Sequence, residues 1–249
     1  MRTLVFALAL LMPILATAVA PAVVWRHDAD SAAALALGAS IPAVGRVLPD
    51  GSATLIAPTW AITAAHVASR VTTGSQLEFG GVAYTVARVH VHPEGHADPA
   101  RPRQPPEVDL ALLELARPVA GITPLALYRG REELGTTMTI VGCGDFGAAG
   151  AARTRQDGRC LAVTNVVADA GPKRLFFAFD TPPAGTALEG IGVAGDSGGS
   201  ALIDVNGTWQ VAGVSSGGDG PPGAYGSTDI YTRVSTYLDW IDATRTARR

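Results

Sequence analysis

The sequence predicts an all-β fold, two β-barrels in tandem followed by one terminal helix. Short runs rich in Val, Ile, Leu and Thr recur along the chain between Gly, Pro, Asn and Asp, which is the spacing of an all-β protein. A helical apolar interval occurs only at the C-terminus. The stretch "GITPLALYRGREEL" over 121–134 divides what precedes and follows it into units of about one hundred residues, each enough for a small β domain. These observations favour two barrels over one large sandwich and set the expected units at 21–125 and 126–249.

In chain order the expected strands are "SATLIAP", "WAITAAH", "VAYTVARVHVH" and "VDLALLEL" in the first half. In the second they are "TTMTIVGCG", "CLAVTNVV", "RLFFAF", "SALIDVNGTWQVAGVSS" and "DIYTRVS". Asn206-Gly207 between apolar runs suits a tight hairpin turn that needs positive φ. Val234, Tyr237, Leu238 and Ile241 space the tail as a helix. The segments 96–107, "HADPARPRQPPE", and 218–227, "GDGPPGAYGS", are loops by their proline and glycine content.

The chain of 249 residues is 47% hydrophobic and 16% charged, enough to bury a core without covalent staples. Its net charge is −3 and no Lys/Arg cluster interleaves with aromatics, so nucleic acid is not an expected partner. The start combines Arg2, an apolar run from Leu4 to Leu15 and A-x-A sites at Ala16-Thr17-Ala18 and Ala18-Val19-Ala20, the form of an export signal over 1–20. An uncleaved anchor is the competing reading, since the uncharged stretch between Arg2 and Arg26 is long enough to cross a bilayer. Export to a secreted or periplasmic location favours pairing of the two cysteines, Cys143 and Cys160, across a hairpin, worth about 3 kcal/mol. Two buried thiols are the alternative.

"GDSGGS", residues 195–200, surrounds Ser197 with glycine. A serine hydroxyl needs a base to become a nucleophile. All five histidines, His27, His66, His90, His92 and His96, precede Ser197, which excludes the nucleophile elbow of α/β-hydrolases, where the histidine follows the serine. His66 ends an apolar strand in small residues, and Asp109 leads directly into a buried one, where a carboxylate must find hydrogen-bond partners.

The fragments "LIAPTWAITAAHV", "VDLALLEL", "GDSGGS", "VAGVSSGG" and "IYTRVSTYLDWI", in this order, resemble the chymotrypsin/trypsin-like serine endopeptidase family. The resemblance implies a double six-stranded β-barrel with the site in the cleft between barrels. It assigns Ser197 as nucleophile, His66 as general base and then acid, and Asp109 as the residue that fixes the imidazole tautomer. It places the oxyanion hole at the N–H groups of Gly195 and Ser197. Ser215 matches the serine that supports the aspartate, and Ser216-Gly217 match the edge that pairs with substrate backbone. Asp196 matches a buried carboxylate neutralised by a newly made N-terminus, here Val23, 43 residues before His66. The family's Gly-Gly after the first two residues is Trp25-Arg26 in this chain, and Val67 and Val193 replace two of the family's cysteines.

In the specificity pocket the resemblance places Ile191 at the floor, where trypsin-like specificity uses aspartate, and Asp229 on the wall. Asp229 attracting a basic P1 side chain and Ile191 leaving a small aliphatic pocket both stay open. His90, His92 and His96 in "HVHPEGH" raise a metal site as an alternative to surface histidines. No metal or other cofactor is expected. The expected protein is a monomeric endopeptidase acting on polypeptides, with a proteinaceous inhibitor as a candidate partner. A catalytically silent binding protein and an esterase on the same scaffold are the alternatives.

Overall fold

A computed structural model describes residues 23–96, 106–151, 157–193 and 195–247. The expected export signal and most of the proline-rich loop over 96–107 lie outside the described residues. The chain opens with strand β1 (Val24–Trp25) and helix α1 (Ser31–Ala39). Then come β2 (Val44–Val47), β3 (Ser52–Ala57), β4 (Trp60–Thr63), the single-turn helix α2 (Ala65–Ala68), β5 (Gln76–Phe79), β6 (Val82–Val91) and β7 (Ala111–Leu115). The second half begins with β8 (Ala126–Leu127), β9 (Thr137–Gly142), β10 (Gly147–Ala148), β11 (Leu161–Ala170) and β12 (Arg174–Ala178). It continues through β13 (Gly190–Ile191), β14 (Ser200–Val205), β15 (Thr208–Asp219) and β16 (Thr228–Arg233) to a 3-10 turn (Val234–Thr236) and helix α3 (Leu238–Thr246).

Two rings of six strands close. The first runs β2-β3-β4-β7-β6-β5 and is sealed by β2 against β5. The second runs β14-β9-β11-β12-β16-β15 and closes where β14 pairs β15, with β8 added parallel outside it. Strands β3 and β7 are buried at every position, because one side fills the first barrel and the other is covered by neighbouring structure. Closure removes the unpaired edges that an open sheet would expose.

The hairpin between β14 and β15 turns at Asn206 (φ 55) and Gly207 (φ 78), both left-handed as the sequence requires. Val234, Tyr237 and Ile241 are buried in one core with Leu202, Val211 and Leu112, which anchors the terminal helix. Full burial of a side chain such as Ile241 stabilises by about 1.5–3 kcal/mol.

The expectation of a single terminal helix is corrected by α1. Its sequence, "SAAALALGA", lacks a polar stripe, so it shows no amphipathic period; the Asp30 carboxylate caps it by accepting the Ala32 N–H at 2.8 Å. Strand β1 is inserted between β10, parallel, and β13, antiparallel, so the first described residues belong structurally with the second barrel. Val23, Trp25 and Ala34 share a core with Met138, Ile140, Leu161 and Phe177.

Candidate active site

His66 sits in α2, the turn that follows β4. Its own backbone N–H donates to Asp109 Oδ1 at 2.9 Å, and its ring Nδ1 lies 2.6 Å from Asp109 Oδ2. Asp109, 1% exposed, is held further by the Ser216 hydroxyl, which donates to Oδ2 at 2.7 Å. Thr232 fixes the same residue's backbone by donating to Asp109 O at 2.9 Å. The His66 N–H, its ring Nδ1 and the Ser216 hydroxyl therefore converge on one buried carboxylate.

The resemblance places this supporting hydroxyl on Ser215, and that assignment is corrected. A register irregularity lies between Ser215 and Gly217 in the pairing of β15 with β16, and Ser216 is the residue bonded to Asp109. Ser215 acts through its backbone, accepting the Gly198 N–H at 2.9 Å and donating to Gly199 O at 2.8 Å. Gly217 follows on the same strand and lines the adjacent cavity.

Ser197 lies in the loop before β14, clamped from both barrels. Ser52 N–H donates to Ser197 O at 2.8 Å from the first barrel, and Ser215 holds Gly198 from the second. Gly198 (φ +83) is pressed against β4: a Cβ there would lie 2.1 Å from Thr63 Oγ1 and 3.2 Å from Ala64 N, two residues before His66. Only glycine allows that approach. The imidazole's hydrogen bond goes to Asp109 and none reaches the Ser197 hydroxyl; such contacts commonly tighten only in the substrate complex. Gly195 takes φ +97, and among the described residues neither its N–H nor that of Ser197 is used by another group.

Asp196 and Asp229 are both buried beside Gly192–Val193. Asp196, 1% exposed, accepts the Val193 N–H at Oδ2, while its Oδ1 has no hydrogen-bond partner among the described residues. Gly142 makes room for it, since a Cβ at that position would meet Oδ1 at 1.7 Å. Burial, with Asp229 and Asp145 nearby, drives its carboxyl well above the usual range. Asp229 accepts the Gly192 N–H at 2.7 Å, and burial raises its carboxyl to about 8. Asp229, Ile191, Ser227 and Gly217 line a cavity of about 150 Å³ that opens beside Ser197. Ile191 packs there with Val24 and Phe179.

The trypsin family model matches residues 39–241. The chain belongs to the trypsin family of serine endopeptidases. Its fold is similar to that of neuropsin, a serine protease expressed in the limbic system of mouse brain, with a TM-score of 0.66 and 18% identity. That likeness covers 84% of this chain and 96% of neuropsin.

Cys143 and Cys160 form a disulfide, and Val67 packs against Gly51, where a Cβ would lie 2.8 Å from Val67 Cγ1. The histidines of "HVHPEGH" diverge. His90 meets Trp60 at a tilt and lies 3.6 Å from Glu114, whereas His92 meets Tyr237 and Trp240 edge-on, where burial lowers its pKa. Among the described residues no cluster of three or more His, Cys, Asp or Glu could hold a metal.

Sequence reasoning misses Ser52. Fully buried at the head of β3, its hydroxyl accepts the Cys143 N–H at 3.2 Å and donates to Gly195 O at 3.4 Å, while its backbone N–H holds Ser197. One residue thus touches both donors' segments. A serine opening an apolar strand carries no signal of that placement.

Proposed function

We propose that this trypsin-family chain is an exported endopeptidase that hydrolyses peptide bonds through His66, Asp109 and Ser197, after removal of a signal at 1–20. The observation that carries the reading is the chain of hydrogen bonds from Ser216 through Asp109 to the His66 ring, with the Ser197 loop fastened to the same β15 strand.

Asp109 holds the proton on Nδ1, so Nε2 presents a lone pair toward the cleft. As Ser197 Oγ attacks the scissile carbonyl carbon, its proton passes to Nε2 and the carbonyl π electrons move to oxygen. The resulting oxyanion meets the N–H groups of Gly195 and Ser197, each worth about 3 kcal/mol in comparable sites. The imidazolium then protonates the leaving amine, the C–N bond breaks and an acyl-enzyme remains. Water repeats the sequence with His66 as base and releases the acid.

The reading pairs Asp196 with a cation. Its Oδ1, without a hydrogen-bond partner among the described residues, lies against Gly142, and Val23, fully buried, shares a core with Phe146, four residues after that glycine. Cleavage before Val23 supplies an α-ammonium at this end of the chain, and pairing converts a costly buried charge into a satisfied one. In the pocket, the raised Asp229 presents a neutral carboxylic acid near pH 7, above an apolar floor formed by Ile191.

The test is labelling with an organofluorophosphonate followed by peptide mapping. The reading expects one adduct on Ser197, lost in Ser197→Ala and reduced in His66→Ala, together with cleavage of a peptide library by the wild type. A wild type that neither labels nor cleaves would return the protein to the binding-scaffold reading. Labelling and ester hydrolysis without peptide cleavage would make it an esterase.

A further inference from the structure

Two consecutive residues near the first described strand reach two separate loops beside the Ile191–Asp229 cavity. Arg26 is 9% exposed, and its guanidinium is almost fully used. Nε and Nη2 are chelated by the Asp28 carboxylate, while Nη1 donates to Thr186 O at 2.9 Å and, less closely, to Ala184 O at 3.4 Å. Its backbone N–H donates to Glu189 O at 2.8 Å. His27 turns the other way: its N–H donates to the Tyr225 hydroxyl at 3.0 Å, and its ring Nδ1 lies 2.6 Å from the same oxygen.

Both grips bear on the cavity. The segment 184–189 leads directly into β13, which carries Ile191. Tyr225 lies in the loop whose Pro222, Gly223 and Ser227 line the opposite side, and its ring packs on Phe179 at 4.6 Å, beside Val24 and Ile191. Both loops are rich in glycine and proline, "TPPAGTALE" and "DGPPGAYGS", and offer few large apolar side chains to fix themselves. Their geometry must come from elsewhere. A planar guanidinium with five donors suits the task, because it can bind a carboxylate on one edge and backbone carbonyls on the other.

We infer that Arg26 and His27 are positioning residues for the P1 pocket, bracing its two loops from outside so that the pocket is preformed before a substrate side chain enters. The inference rests on reading the Ile191–Asp229 cavity as that pocket. Where the walls are already ordered, substrate binding need not supply the ordering free energy, and that saving appears in KM. Trp25-Arg26 stands where the resemblance leads to Gly-Gly, and a glycine at 26 would have no side chain with which to reach the 184–189 segment.

The test uses the processed full chain as wild type, Arg26→Ala, Arg26→Lys and Tyr225→Phe, the last removing only a hydroxyl. Two ester substrates are compared, one with glycine at P1 and one carrying the best P1 side chain from a peptide library. For the P1 side-chain ester, Arg26→Ala and Tyr225→Phe should each raise KM about tenfold with kcat within about twofold. The glycine ester should be hydrolysed within about twofold of wild type, and Arg26→Lys should recover part of the loss. Equal losses on both esters would mean a merely structural role, and no loss on either would overturn the inference directly.

Hydrogen exchange separates this outcome from failure of the active-site reading. Faster exchange in 184–189 in Arg26→Ala, and in 219–227 in Tyr225→Phe, supports the brace even if the wild type turns over neither ester. Unchanged exchange in both loops refutes it. If Arg26→Ala fails to fold, Tyr225→Phe carries the same comparison for its loop.

Discussion

Replacing Asp229 with asparagine should flatten part of the protein's dependence of stability on pH. Asp229 is 4% exposed, and burial raises its carboxyl from 3.8 to about 8. In the unfolded chain the same group ionises near its ordinary value of about 3.9. Between about pH 4 and pH 8 the folded protein therefore holds a proton that the unfolded chain has released. The native state binds more protons in that window, so this group's contribution to stability falls as pH rises through it. The contribution is most favourable below pH 4 and levels off above pH 8. A gap of about four pH units at about 1.4 kcal/mol each amounts to about 6 kcal/mol, comparable to the whole stability of a small domain. Asparagine keeps the shape and an oxygen to accept the Gly192 N–H, but it cannot ionise. In urea unfolding at pH 5, 6.5, 8 and 9.5, the difference between D229N and wild type should move in the variant's favour by several kcal/mol up to pH 8 and then hold steady. Parallel curves across the whole range would refute protonation of Asp229 in the folded state, and with it the view of the pocket as uncharged at pH 7.

The pocket carries the same titration into specificity: a P1 lysine must displace that proton, so kcat/KM for P1-Lys relative to P1-Ala esters should rise about tenfold from pH 6 to pH 7 and plateau above pH 8. Asp109→Asn preserves the hydrogen-bonded shape but allows the wrong imidazole tautomer, and should lower kcat by about 10⁴ in a peptide-ester assay while leaving KM nearly unchanged. Ser52→Ala strands the buried Cys143 N–H and loosens Gly195; thermal unfolding should show a loss of about 1–3 kcal/mol, and kcat should fall more than KM changes. Activity should decline at alkaline pH as the Val23 ammonium, ordinarily near pH 8 and raised by its ion pair, loses its proton. A chain acetylated at Val23 should be inactive at every pH, as measured with the same ester.

The groups placed at the centre of the proposed chemistry were legible in the sequence because each belongs to a local pattern that leaves its side chain few alternatives. His66 ends a strand of small residues, Asp109 enters a strand with no exposed position, and the glycines around Ser197 mark a backbone that side chains would obstruct. Ten of the twelve ring strands, though not the four-residue β2 and β5, were legible in the expected runs, as was the Asn206-Gly207 turn. Two-residue strands were not: β1 exists only because β10 and β13, more than one hundred residues away, flank it. Helix α1 escaped because an alanine-rich run without a polar stripe has no period to detect, and its stability comes from the Asp30 cap and from packing on β11.

The exchange of Ser215 for Ser216 is the most instructive miss, because it has a geometric cause. Along a regular strand successive side chains point to opposite faces, so a residue's role follows from counting by twos. The irregularity between Ser215 and Gly217 breaks the count on β15, directly beside Asp109. Ser216 is the extra residue at that break, without a partner of its own on β16, and its hydroxyl turns toward the carboxylate. Motif alignment counts letters and cannot see the break, since "SSGG" offers two serines of equal chemistry. Exchanging the two single-serine deletions therefore distinguishes geometry from alignment. Ser216→Ala should leave Asp109 short of one donor and depress kcat, whereas Ser215→Ala keeps the backbone bonds to Gly198 and Gly199 and should change kcat far less. The reverse ranking would mean that β15 runs in unbroken register past the site, and the hydrogen-bond chain proposed to orient His66 would have to be rebuilt around Ser215.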